Sequence, residues 1–382
     1  MKASTIKEPE RISLDDDDDH ISSAADNTVR PQRELKVNRR IVHQEDEKIK
    51  LPDMENPQEP EWYRGRKKST SRPKTNLFTS SESILSSIRT AINNCEKFNA
   101  RNEVSALDTE IAKLCDRIHQ AAFTKMNHQI CRDNHMLSNT GGLSRIFCAA
   151  YSGGVIYPWY IQQDAAELYT KWWTGEFEDD LSRGLEFRRT RNKEHSISLN
   201  PSYPFRFHGN FFGNAHLRCG QWWPSMICAV RDGAHNAIQA GIAGSATEGE
   251  GAWSVVLSGG KYKNEDDGDV VWYYGTDSTD PAKSTTHTQC LMASVGSSRP
   301  IRLIRSAEAK NSSYRPCKGY RYDGLYTAVE KVLESPVTHT YRFHLVRCPD
   351  QDPIRWRGPG ERPTAQEQEA YDKFKEERGF WV

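Results

Sequence analysis

Two short stretches constrain this chain more than the rest of its residues. One is residues 251–260, Gly-Ala-Trp-Ser-Val-Val-Leu-Ser-Gly-Gly, and the other is residues 319–326, Gly-Tyr-Arg-Tyr-Asp-Gly-Leu-Tyr. Both join β-branched and aromatic residues to glycines, the texture of strands that end in tight turns. Similar runs follow at residues 270–274, 301–304 and 341–346, each bounded by Gly, Asp or Pro. Short strands at irregular spacing from residue 205 onward predict a closed or half-closed β-barrel.

The region before residue 205 differs in pattern. Val104, Leu107, Ile111, Leu114 and Ile118 recur at helical steps. A helix capped by Ser81 would carry Ile84, Leu85, Ile88 and Ile92 on one face, and another capped by Asp164 would carry Leu168, Tyr169, Trp172 and Trp173. Residues 81–190 therefore read as a small helical bundle, and 190–204 as a linker. Residues 1–78 hold an acidic block at 15–19, many polar residues and no apolar period, so they read as a disordered charged tail. Its end carries a basic cluster, Arg64, Arg66, Lys67, Lys68, Arg72 and Lys74, suited to a nuclear localisation signal or a DNA-contacting arm. Residues 361–382 form a terminal helix and tail.

Charge and cysteines narrow the function classes. The formal net charge is zero, so any electrostatic footprint is local. None of the nine cysteines forms a C-x-x-C pair, which argues against a RING or zinc ribbon and fits a reducing compartment. No G-x-S-x-G, H-E-x-x-H or Walker A pattern occurs, and no apolar run is long enough for a membrane span. The expectation is a non-enzymatic protein with no cofactor, no metal and no membrane partner. Residues 258–275 concentrate glycines, tyrosines and acids: Gly259, Gly260, Tyr262, Asn264, Glu265, Asp266, Tyr273 and Tyr274. Aromatic faces stack bases, and acceptors meet an amino group on a base edge.

Residues 205–350 resemble the SRA-YDG (SET- and RING-associated) domain family. The resemblance rests on Gly213-Asn214, residues 220–224, 240–244, 251–260 and 299–306, and above all Arg321-Tyr322-Asp323-Gly324. The arrangement is similar to fungal single-SRA proteins. It implies an α+β fold, a PUA-like β-barrel over residues 205–360, and a nuclear, chromatin-associated protein that binds DNA, with methylated cytosine read by base flipping. The implied base pocket comprises Gly259, Gly260, Tyr262, Asn264, Glu265, Tyr273 and Tyr274, with Tyr262 and Tyr273 as the stacking pair. Either Glu265 or Asn264 reads the base edge, depending on a one-residue shift of the hairpin. Gln239 and Lys283 fall on the elements that enter the grooves. A basic strip, Arg299, Arg302, Arg305, Arg315 and Lys318, is expected on phosphates. Arg321, Tyr322, Asp323 and Gly324 are expected to be structural, with Asp323 capping backbone amides and Gly324 in a turn. The competing reading is a protein-interaction scaffold whose pocket is plugged by Lys261 or Tyr274, docking chromatin proteins through the helical region.

Overall fold

The computed structural model describes residues 49–64, 76–189, 195–247, 249–280 and 282–378. Helices α1 (Asn76–Ala100) and α2 (Val104–Ala122) form an antiparallel pair, followed by α3 (His128–Asp133), α4 (Ser144–Phe147) and α5 (Trp159–Trp173). Leu85, Ile88, Ile92, Ile111, Leu114, Ile118, Ile161, Leu168 and Tyr169 share one core, as their helical spacing predicts. Two expected caps fail. Ser81 lies inside α1 and donates to Lys125 O at 2.8 Å. Asp164 lies buried inside α5, where arginines claim its carboxylate.

Residues 49–64, expected within the tail, are packed against the helices. Tyr63 joins the helical core, Trp62 donates to Trp173 O at 3.0 Å, and Trp173 donates to Gln58 O at 2.7 Å. Aromatic anchors thus hold residues 49–64 against α3 and α5. Arg64 is exposed, while the rest of the expected basic cluster lies outside the described residues. The expected linker contains half of a hairpin, β1 (Leu185–Arg189) with β2 (His195–Leu199).

The remaining elements are β3 (Trp222–Trp223), α6 (Met226–Arg231), β4 (Ile242–Ser245), β5 (Gly251–Leu257), β6 (Glu265–Asp266), β7 (Val270–Tyr274), α7 (Thr286–Ser294), β8 (Ile301–Ser306), β9 (Tyr320–Ser335), β10 (Thr340–Arg347) and α8 (Ala365–Arg378). Eight strands make one mixed sheet ordered β4-β5-β8-β9-β10-β7-β6, with β3 on β9. Among the described strands of this sheet, β5 and β8 pair in parallel and the others antiparallel. Val255, Leu257, Val271, Leu303, Tyr326, Phe343 and Leu345 fill one side of the sheet beneath α7. Trp223, Ile227, Val256, Ile304 and Tyr322 pack on the other. The protein is α+β, as expected.

The chain after β10 returns to the helices. Arg355 and Arg362 both bind Asp164, at 2.9 and 2.8 Å, and Gln163 donates to Asp352. Thr364 and Glu367 form a reciprocal capping box at the start of α8, with bonds of 2.7 and 3.2 Å.

Candidate nucleic-acid interface

Strand alternation decides which side chains of the 258–275 hairpin face each other. Successive residues of a strand point to opposite faces. Asn264 and Asp266 fall on one side and Glu265 on the other. Asn264 and Asp266 line a pocket of about 570 Å³, together with residues 257–260, Tyr262, residues 306 and 308–312, and Tyr320. Glu265 is exposed and stands 3.7 Å from Arg342. Of the two candidates for the base edge, the structure places Asn264 in the pocket.

The same alternation corrects the stacking pair. Tyr273 is paired with Phe343 in register and points into the barrel core. Its hydroxyl reaches Gly241 O at 3.0 Å and Val256 O at 3.3 Å. Burial pushes its phenol above the ordinary range. A side chain so enclosed has no face for a base. Tyr262 lines the pocket instead, and Tyr274 stacks on it with ring centroids 6.4 Å apart. Tyr262 accepts from Asp277 N at 2.8 Å, and the Lys261 ammonium lies 5.0 Å from its ring. Lys261 is itself paired with Asp277. Neither Lys261 nor Tyr274 belongs to the pocket lining, so the expected plug is not formed.

Glycine has a steric reason at this wall. A Cβ on Gly259 would come within 2.5 Å of Glu308 O. Gly260 has φ of +136°, a conformation that L side chains rarely adopt.

Two of the five residues of the basic strip are internal. Both faces of β8 are covered, so Arg302 and Arg305 have no exposed surface. Arg302 donates to the carbonyls of Ala234, Phe211, Gly213 and Gly209, and stacks 3.9 Å over the Phe211 ring. Burial with no carboxylate beside it pulls its guanidinium down to about 10. Arg305 donates to both oxygens of Asp266 (2.8 and 2.6 Å), to Asp323 (3.0 Å) and to Gly268 O (2.8 Å). Although burial acts to raise the Asp266 carboxyl, the Arg305 hydrogen bonds and charge hold it below its ordinary value. These two arginines are structural and leave the phosphate set. Lys318 is paired with Asp372 at 2.6 Å. Arg299 is exposed over the Phe212 ring at 4.6 Å, and Arg315 is exposed beside Ala307 O. Gln239 and Lys283 are exposed, with Ile238 47% exposed beside Gln239.

The Tyr-Asp-Gly motif anchors this arrangement. Asp323 accepts from Arg321 at 2.6 and 3.0 Å and from Arg305, so it pairs with guanidiniums where backbone amides were expected. Gly324 lies within β9, not in a turn. Its φ is +107°, and a Cβ there would meet Gln351 Oε1 at 2.6 Å. That Gln351 side chain accepts from Leu325 N and donates to Leu325 O. Tyr322 is buried and hydrogen-bonded to Asn214. The network Asp266–Arg305–Asp323–Arg321 therefore ties the pocket hairpin to the motif.

Asn311, Ser312 and Tyr320 also line the pocket and carry no signal for it in the sequence; Glu308 and Lys310, on the same wall, lie in the stretch between Arg299 and Arg321 that reads as a basic strip. Lys310 is exposed at this wall. A loop that follows a strand by a few residues and packs on a distant glycine leaves no spacing signal. Among the described residues, one group of possible metal ligands converges, Cys115, His119 and Asp164, within 4.8 Å. Two guanidiniums already occupy Asp164, which opposes a cation there. No described helix is long and apolar enough to cross a membrane.

Known proteins match the sheet region. A UHRF1-like protein of Cryptococcus neoformans var. grubii is 33% identical over 157 residues, which cover 35% of this chain and 45% of that protein. The E3 ubiquitin-protein ligase ORTHRUS 2 of Arabidopsis thaliana is 34% identical over 168 residues, 39% of this chain and 26% of that protein. The chain thus spans less than half the length of these curated relatives. A solved SUVH5 SRA–methylated CHH DNA complex is 26% identical, with a TM-score of 0.32, covering 38% of this chain and all of that one. The family model described as the SAD/SRA domain matches residues 211–351, the span that holds the pocket hairpin, the buried arginine network and the Tyr-Asp-Gly motif. Over those residues, the chain is similar to the SAD/SRA domain family.

Proposed function

We propose that this chain is a DNA-binding chromatin protein that takes one base out of the duplex into the Tyr262 pocket. The observation that carries the reading is the open pocket of about 570 Å³ bearing Tyr262 on its wall. This is the size of an ordinary small-ligand site, roughly 300–1,000 Å³. Flipping a base costs a few kcal/mol, and stacking on an aromatic ring returns about 1–3 kcal/mol. Asn264 is the edge-reading side chain of this wall. Arg299, Lys310 and Arg315 suit phosphates, and Gln239 and Lys283 suit the grooves. Methylated cytosine is the mark the family resemblance points to.

The activity proposed is binding rather than catalysis. The ligase name belongs to the relatives as whole proteins, of which the matched part is about a quarter in ORTHRUS 2. Nuclear localisation and docking of chromatin proteins on the helical region belong to the same proposal.

The test is titration of the full chain with duplexes of one sequence, unmodified, hemimethylated, fully methylated or mismatched at one position, at two salt concentrations. The expected result is salt-sensitive binding whose affinity depends on that single base, with the dependence lost in Tyr262→Ala. Equal binding to every duplex would leave only a phosphate-binding surface. No binding at low salt would favour the scaffold reading.

A further inference from the structure

The Asn264 carboxamide is fixed in one orientation. Its Oδ1 accepts from Tyr274 N at 2.8 Å. A backbone N–H only donates, so the atom that meets it is the carbonyl oxygen. The amide nitrogen is then the remaining polar atom of Asn264 on this wall, and it makes no hydrogen bond among the described residues. The neighbouring carboxylate has no capacity to spare. Asp266 accepts from Arg305 twice, from Ser312 and from Gly268 N, about the four sites a carboxylate has. Of these two side chains, Asn264 therefore offers a donor and Asp266 no free acceptor.

Pyrimidines differ at the 4-position. Cytosine, methylated or not, carries an amino donor there, whereas thymine and uracil carry a carbonyl acceptor. We propose that Asn264 makes this pocket selective for a pyrimidine with a 4-carbonyl, thymine or uracil, over cytosine or methylcytosine. This rests on the base-capture reading above and departs from the methylcytosine to which the family resemblance points. An amino group set against the Asn264 amide places two donors face to face and leaves both unpaired, which costs more than a missing bond. The exposed carboxylate of Glu308, on the other segment of the lining, stays hydrated and offers a weaker acceptor.

The test uses the full chain and duplexes in which thymine, uracil, cytosine or methylcytosine stands opposite an abasic site. No base pair then has to be broken, and ease of flipping is matched. Wild type is expected to bind the thymine and uracil duplexes roughly tenfold more tightly than the cytosine pair. Asn264→Asp keeps an oxygen for Tyr274 N and presents a second one to the base, so it is expected to reverse the order. Glu308→Gln is expected to leave the order unchanged. A wild-type preference for cytosine or methylcytosine that Tyr262→Ala removes would overturn this proposal while leaving base capture standing. An order that Asn264→Asp does not change, or that Glu308→Gln abolishes, would also overturn it. Equal affinity for all four duplexes, unchanged by Tyr262→Ala, would overturn base capture itself and this proposal with it.

Discussion

At the scale of the residue, the main finding is that charge and function separate. Arg302 and Arg305 have the composition of a phosphate strip and the position of a core. Arg305 bridges two carboxylates in a site with no exposed surface. Removing one partner of such a network leaves buried charge uncompensated, at a cost of about 3–5 kcal/mol. Arg305→Ala is therefore expected to lower unfolding stability by that amount, measured by urea denaturation. Arg315→Ala, on the surface, is expected to stay within about 0.5 kcal/mol of wild type and to weaken DNA binding. The exposed arginines were indistinguishable from these in the sequence, because identical residue types differ only in what covers them.

At the scale of the element, β7 and the loop before β4 carry the lesson about legibility. The hairpin itself was readable from its glycines and tyrosines. Its facing was not, because a shift of one position exchanges Asn264 and Asp266 for Glu265, and Tyr273 for Tyr274. The loop at 236–240 is held at its root by His235. Nε2 donates to Ala240 O at 2.8 Å, so Nδ1 accepts from Ser254 at 2.7 Å. Burial, with the Arg302 charge nearby, outweighs the Ala240 bond and holds the ring's pKa down to about 4. The folded state thus keeps His235 neutral where the unfolded chain takes up a proton near 6.5. Its contribution is complete above that pH and falls as pH drops towards 4, by up to about 3 kcal/mol. The His235 ring resonances are expected to show the neutral form down to pH 5 by NMR; titration near 6.5 would contradict this account.

At the scale of the whole molecule, the helices and the sheet are joined through Asp164, Arg355 and Arg362. Each element was visible in the sequence, but the joint was not. Pairs almost two hundred positions apart have no periodicity to betray them, and the aromatic anchors of residues 49–64 looked like tail for the same reason. His119 belongs to this joint, 2.7 Å from Asp164. Burial acts to lower its pKa, but the hydrogen bond to Asp164 raises it to about 9. The sign is opposite to that of His235. The stabilisation is full below about 6.5 and is lost as pH rises through about 9. Thermal unfolding temperature is therefore expected to fall between pH 7 and 9.5, with a flatter profile in His119→Gln.

The most direct measurement is photocrosslinking of the full chain to a duplex carrying 5-iodouracil opposite an abasic site, with the adduct located by mass spectrometry. The account predicts an adduct at Tyr262 that disappears in Tyr262→Ala. Adducts confined to the helical region, or to the exposed arginines with Tyr262 untouched, would contradict it.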